Sequence, residues 1–207
     1  MMDVDSTLIQ QEVIELLAHQ AGAGEEVEAI TESAMAGELD FEQSLRRRVS
    51  LLAGLSVDVL DEVSKRIEVT PGAKELIAYV HEVGGRIGAV SGGFSQVLDP
   101  IAESLGLDYW SGNVLEIEDS KLTGRLVGKI IDAKAKATAL EEWSIDFGVP
   151  NQQTVAIGDG ANDILMLQAA SFAVAFRPKP GLRPYADLIV EENSLLSVIE
   201  SLKLRAS

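Results

Sequence analysis

The chain has 207 residues, with 17 basic against 33 acidic side chains for a net charge of −16, and no cysteine. That balance argues against nucleic acid and anionic membrane as partners, because both select a basic surface. The missing cysteine removes disulfides and thiolate metal sites. An apolar content of 46% with 5% aromatics implies a soluble globular protein with an aliphatic core. No apolar run reaches the roughly 18 residues a membrane span needs, and no basic segment leads into an apolar one as in a secretory signal. A cytoplasmic enzyme is the default expectation.

Met1-Met2-Asp3-Val4-Asp5-Ser6-Thr7 sets two carboxylates two positions apart. On an extended segment such residues share a side, and two anions facing one pocket repel unless a cation or a proton intervenes. Taken alone, the segment also reads as a solvated acidic end. From residue 8 to about 68 the apolar period is helical. Val13, Leu16, Leu17 and Ala21 mark a first helix stopped by Gly22. Val27, Ile30, Ala34 and Met35 mark a second that ends at Gly37. Asp40 with Gln43 resembles a capping box and opens a third, carrying Phe41, Leu45, Val49 and Leu52 on one stripe. Ser56 caps a fourth, with Leu60, Val63 and Ile67 inward. Four helices without a strand read as a small bundle inserted into something else.

From Thr70 the pattern alternates. Thr70-Pro71 predicts an N-cap with proline at the first helical position, and the helix runs to Gly84-Gly85. Arg86 to Val90 reads as a buried strand ending at Ser91-Gly92-Gly93, followed by a helix over about 94–105. Residues 113–131 read as a hairpin around Asp119-Ser120-Lys121. A helix over about 133–147 carries Lys134 and Lys136, and the strand Thr154–Ile157 runs into Gly158-Asp159-Gly160-Ala161-Asn162-Asp163. A helix, a strand at Phe172–Ala175, a loop, a strand at Leu188–Val190 and a helix complete the chain. The alternation implies an α/β, doubly wound, Rossmann-like parallel sheet, with a core of residues 1–9 and 69–207 and an inserted helical cap of residues 10–68.

Ligands of such sheets bind beyond the carboxyl ends of the strands. Asp3 and Asp5, Ser91-Gly92-Gly93, and Asp159 with Asn162-Asp163 all fall there, and Lys136 lies near the start of a helix. Singly, each has an ordinary explanation: a tight turn at Ser91-Gly-Gly, a turn at Asp159-Gly160, a solvated lysine. Jointly they place carboxylates, a hydroxyl, backbone N–H groups and an ammonium at one edge, which suits a magnesium ion and a phosphoryl group.

Asp3-Val-Asp5-Ser-Thr7, Ser91-Gly-Gly, Lys136 and Gly158-Asp159-Gly-Ala-Asn162-Asp163 resemble, in order, the four motifs of the haloacid dehalogenase superfamily of phosphohydrolases. The helical insert resembles that superfamily's four-helix-bundle cap. Asp5-Ser-Thr-Leu-Ile9, Glu12, Phe41-Glu-Gln-Ser-Leu-Arg-Arg-Arg-Val49 and Val90-Ser-Gly-Gly-Phe94 resemble its phosphoserine phosphatase branch. The resemblance covers essentially the whole chain. It implies Asp3 as nucleophile and Asp5 as acid and base, with Ser91, Gly92 and Lys136 holding the phosphoryl oxygens. Mg²⁺ would sit on Asp3, the Asp5 carbonyl and Asp159, with Asp163 and Asn162 in support. Glu12 would meet the ammonium of phosphoserine, Arg48 its carboxylate, and Phe41 would pack over it. The implied activity is magnesium-dependent hydrolysis of O-phosphoserine, the last step of serine biosynthesis, by a monomer or homodimer.

Chemistry agrees with these roles. A carboxylate about 4 Å from one phosphate charge is opposed by roughly 4 kcal/mol at an effective dielectric of about 20, so the attack of Asp3 needs cations. Phe41 and Arg48 are seven residues apart, two turns on one helical face, which favours Arg48 over Arg46 and Arg47; a solvated arginine face and a Phe41 in the cap core are the ordinary alternatives. Lys134 competes with Lys136 but points from another face. Alternatives at the level of function are another phosphatase or phosphotransferase of the superfamily and a receiver-type signalling domain. A further expectation concerns Asp3, which only Met1 and Met2 precede. Burying each missing aliphatic of a longer strand contributes roughly 1.5–3 kcal/mol, so a truncated, inactive form with residues 1 to 7 displaced is also expected.

Overall fold

Side-chain alternation explains the central layer of the computed structural model, which describes residues 1–35 and 38–206. The elements in chain order are α1 (Val13–Ala21), α2 (Gly24–Met35), α3 (Phe41–Ser50), α4 (Asp58–Ser64), α5 (Ala73–Glu82), β1 (Gly88–Phe94), α6 (Ser95–Leu105), β2 (Tyr109–Glu118), β3 (Lys121–Val127), α7 (Ala133–Asp146), β4 (Val155–Gly158), α8 (Ile164–Ala169), β5 (Phe172–Phe176), β6 (Leu188–Val190) and α9 (Leu196–Ala206). Along β5, Phe172, Val174 and Phe176 enter a cluster with Leu76, Leu98 and Val198. Ala173 and Ala175, pointing the other way, meet Leu140, Met166 and Leu167. A strand buried on both faces needs helices on both, and α5, α6 and α9 cover one face while α7 and α8 cover the other.

The sheet consists of two parallel halves, β1–β2 and β4–β5–β6. Met1–Asp3 joins them. Met2 N–H donates to the Gly88 carbonyl (2.9 Å) and Val90 N–H to the Met2 carbonyl (2.9 Å) on one side. On the other, Ile157 N–H donates to Met1 (3.0 Å) and Asp3 N–H to Ile157 (2.8 Å). Residues 1–3 are thus seated between β1 and β4 rather than displaced, and Met2, Val4, Leu8 and Ile9 are all buried.

A narrow neck bounds the four-helix insertion. Ile9 pairs antiparallel with Val69, Gln10 N–H donates to the Glu68 carbonyl (2.9 Å) and Thr70 N–H to the Leu8 carbonyl (2.9 Å). Between these strands of the neck lie α1 to α4, whose Leu17, Val27, Leu45, Val49, Leu60 and Val63 are buried together.

Several local expectations shift. The helix expected from Pro71 begins at Ala73, because Ala73 N–H closes a turn on the Thr70 carbonyl (3.0 Å) and Gly72, in the left-handed region at φ 83°, becomes the N-cap. Ser91-Gly92-Gly93 is not a turn after the strand but the last part of β1 itself. β2 starts at Tyr109, earlier than the hairpin pattern indicates. Asp119 and Ser120 take φ of 49° and 59°, the type I′ geometry that suits a two-residue hairpin loop. Ser56 lies two residues before α4, its hydroxyl against Asp58 (3.0 Å), and Ile67 falls beyond the helix. The expected end of the second helix at Gly37 lies outside the described residues. Among the described residues, no helix is long and apolar enough to cross a membrane.

Candidate active site

The sheet's carboxyl edge collects the polar groups. Asp3 ends the central segment and is 3% exposed. The chain then leaves through an irregular turn at Val4–Leu8 in which Ser6 adopts φ 57°, and this brings Asp5 back over the same edge. The Asp5 carboxylate accepts from Val13 N–H (2.7 Å), the first residue of α1, and from the Ser91 hydroxyl (3.0 Å). Ser91 in turn accepts from Gly93 N–H (2.7 Å). A Cβ on Gly93 would lie 2.7 Å from Asp5 Oδ2 and 2.9 Å from Ser91 Oγ, so only glycine permits this approach.

Asp132 caps α7 by accepting from Ala135 N–H (2.8 Å), and the first turn then points Lys136 inward while Lys134 stays exposed. Lys136, 1% exposed, donates from Nζ to Asp3 Oδ1 and to Asp163 Oδ1, the latter at 2.8 Å. The other Asp163 oxygen accepts the N–H groups of Asp159 and Gly160, both at 3.1 Å. Asp163 therefore accepts three hydrogen bonds and braces the loop after β4.

Burial dominates the electrostatics. It pushes the Asp3 carboxyl well above the usual range, reinforced by Asp163 and opposed by Lys136. Asp5 is pushed up to about 6, first by burial and then by Glu12, against the bonds from Val13 and Ser91. Burial pulls on Lys136 in the opposite sense, but Asp163 and Asp3 outweigh it, so the ammonium is firmly held. Asp3, Asp159 and Asp163 can each bring a carboxylate oxygen within 4.8 Å of the others. Such hard oxygen donors suit a magnesium-type cation. Asp163 accepts three hydrogen bonds, whereas Asp3 is held at one oxygen by Lys136 and Asp159 at one by Lys179, so each of these two keeps a second oxygen for such an ion.

Across a cleft of about 970 Å³, the insertion supplies Glu12, Phe41 and Arg48, facing Asp3, Asp5, Gly92, Asp159 and Asn162. Phe41 lies so close over Gly92 that a Cβ there would be 3.0 Å from its ring. Arg48 is half-buried and its Nε reaches back to the Ser44 carbonyl (3.4 Å), whereas Arg46 is spent on exposed Glu42 and Arg47 is exposed. Glu12 accepts from the Ser6 hydroxyl (2.8 Å). A second cleft, of about 570 Å³, lies at the opposite end of the strands against Met1 and Trp143 and is lined by no carboxylate among the described residues.

Two contributors escaped the sequence reading. Asn113, 1% exposed, donates from Nδ2 to the Gly92 carbonyl (2.9 Å) and accepts Ile131 N–H (2.9 Å), clasping the end of β1 to the segment that leads into α7. Its one sequence signal is a polar residue two positions from Leu115, the other buried residue of β2. Lys179, between Pro178 and Pro180, sets its Nζ 3.1 Å from Asp159 Oδ2 and 3.5 Å from Glu12 Oε1. Nothing local marks it, because both partners are distant in sequence.

Compared with known proteins, residues 1–168 match the family described as haloacid dehalogenase-like hydrolase. Phosphoserine phosphatase SerB2 of Mycobacterium tuberculosis is 52% identical over 197 residues, covering 95% of this chain and 48% of that protein. The phosphoserine phosphatase of Streptococcus thermophilus is 46% identical over 201 residues, covering 97% of this chain and 94% of that protein. A solved phospho-aspartyl intermediate analogue of phosphoserine phosphatase superposes with a TM-score of 0.91 at 43% identity, covering 97% of this chain and 96% of that one. The chain spans about half the length of the Mycobacterium relative and of a 53% identical phosphoserine phosphatase from Streptomyces coelicolor.

Proposed function

Because this chain belongs to the haloacid dehalogenase-like hydrolases, we propose that it hydrolyses O-phospho-L-serine to L-serine and phosphate, completing serine synthesis. The observation that carries the reading is the buried Asp3 carboxylate, gripped by Lys136 at the wall of a cleft whose other wall holds Glu12 and Arg48. Residues 10–68 act as a four-helix-bundle cap on a core of residues 1–9 and 69–207. The antiparallel neck at Ile9 and Val69 supports those boundaries, and the insertion also rests on the β2–β3 hairpin, where Gly54 N–H donates to the Leu122 carbonyl (2.8 Å) and Val57 N–H to the Ser120 carbonyl (2.9 Å).

In this mechanism Asp3 attacks phosphorus, a new bond forms to its carboxylate oxygen, and the bond from phosphorus to the serine oxygen breaks. Asp5 gives its proton to the departing serine oxygen. It then takes one from the water that attacks phosphorus and frees Asp3 and phosphate. A group with a pKa near 6 suits that double duty, because neither protonation state is costly at neutral pH. Ser91, the Gly92 N–H and Lys136 hold the phosphoryl oxygens. A bound Mg²⁺ would be held by Asp3, the Asp5 carbonyl and Asp159, with Asp163 and Asn162 in support, and would neutralise charge between nucleophile and phosphate. Glu12 takes the substrate ammonium, Arg48 its carboxylate in a charge-assisted pair, and Phe41 closes over it.

Release of inorganic phosphate, measured across a panel of phosphorylated small molecules with and without Mg²⁺, tests the reading. Phosphoserine is expected to lead the panel. Asp3→Asn is expected to abolish turnover with an unchanged circular dichroism spectrum, and normal turnover in that variant would end the aspartyl-phosphate mechanism.

A further inference from the structure

Four carboxylates at the cleft and its floor are neutralised in two separate groups. Asp3 and Asp163 share Lys136 in the interior. Asp159 and Glu12 share Lys179 at the mouth, where its side chain is 58% exposed. The backbone N–H of Lys179 donates to the Asp159 carbonyl (2.8 Å), so its Cα is fixed while its four-carbon stem is free to swing. Both carboxylates it touches are, in the proposed mechanism, destined for other cations: Asp159 for a divalent metal and Glu12 for the substrate ammonium.

We propose that Lys179 is a stand-in cation, holding Asp159 and Glu12 against mutual repulsion and yielding each of them when metal and substrate ammonium arrive. This rests on the phosphoserine reading of the same site. The chemistry favours a lysine here. An ammonium on a flexible stem pairs with carboxylates as a point charge without the bidentate grip of a guanidinium. The ammonium end is solvent-exposed although the Asp159 carboxylate beside it is 6% exposed, so an incoming cation can take its place, and a pair open to water corresponds to about two- to fivefold competition in affinity. Lys136, buried and doubly bonded, cannot play that part.

The prediction runs opposite to that for an ordinary site lysine, whose loss weakens ligand binding. In Lys179→Met, Mg²⁺ alone, titrated calorimetrically into the chain without substrate, is expected to bind about two- to fivefold more tightly. The ratio of KM for phosphoserine to KM for 3-phosphooxypropanoate, which keeps the carboxylate and lacks the ammonium, is expected to fall by a similar factor. Lys179→Arg, which keeps the charge and adds a bidentate grip, is expected to bind Mg²⁺ no more tightly than wild type and to leave the KM ratio no lower. Unchanged or weaker Mg²⁺ binding in Lys179→Met, an unchanged KM ratio, or an arginine variant that behaves like the methionine one each overturns the stand-in role. Failure of the underlying reading looks different: the wild-type chain itself would bind no Mg²⁺ or would not hydrolyse phosphoserine, and that result overturns both.

Discussion

Two lysines serve one cluster of carboxylates, and their surroundings make them different devices. Lys136 is 1% exposed and its partners Asp3 and Asp163 are equally sealed, while Lys179 is 58% exposed beside a buried Asp159 and a partly exposed Glu12. Breaking a buried pair strands an uncompensated charge and costs about 3–5 kcal/mol, whereas an exposed pair contributes about 0–1 kcal/mol. Burial, rather than residue type or count of contacts, decides which lysine is a permanent part of the site.

Lys136→Met breaks or upholds that contrast most directly. It is expected to abolish phosphate release and lower unfolding stability by about 3–5 kcal/mol in denaturant titrations, while Lys179→Met stays within about 1 kcal/mol of wild type. Equal losses in the two variants would erase the distinction. Arg48, the third cation of the cleft, is half-buried and belongs between them. Arg48→Ala is expected to raise KM for phosphoserine on the order of 10-fold or more, in keeping with loss of a charge-assisted bond, with little change for an aryl phosphate. Equal effects on the two substrates would remove Arg48 from carboxylate recognition.

Asp5 sharpens the comparison through pH. Its pKa is about 6 in the folded chain and near 3.9 unfolded. Between those values the folded state binds more protons, so stability falls as pH rises through this window, and the full penalty stands above pH 6. Asp5→Asn is therefore expected to be more stable than wild type at pH 8, by a few kcal/mol at most in denaturant titrations, with the gain shrinking towards pH 4. A gain that grows on acidification would reverse the sign. Smallest of all, Ser44, buried on the cleft side of α3 with no partner for its hydroxyl, is expected to tolerate alanine within about 0.5 kcal/mol or with slight stabilisation, because nothing is left unpaired. A loss above about 1 kcal/mol in a thermal melt would show that the hydroxyl is engaged.

Sequence revealed the sheet, the insertion and the placement of Asp3, Asp5, Ser91, Lys136 and Asp159 at one edge, because period-2 and period-3.6 patterns and strand ends are local signals. It misjudged places where tertiary contact overrides local preference. Ser91-Gly92-Gly93 looks like a turn, yet Asn113 holds the Gly92 carbonyl and keeps the segment extended. Tyr109–Ser111 lacks a strand's alternation but pairs with Gly88–Val90. Pro71 invites a helix that the positive φ of Gly72 postpones. Lys179 was invisible for a deeper reason: its meaning comes from Glu12, 167 positions away.

The three residues that join the half-sheets also bear on how the molecule assembles. Met1–Asp3 hydrogen-bonds to Gly88 and Val90 on one flank and to Ile157 on the other, so Asp3, the proposed nucleophile, is positioned by contacts that close two very long loops. Closure of that kind is entropically late. During refolding, catalytic competence is expected to appear only with protection of the Val90 and Ile157 amides from hydrogen exchange. A half-formed protein, with either sheet alone complete, would hold no reactive carboxylate in place.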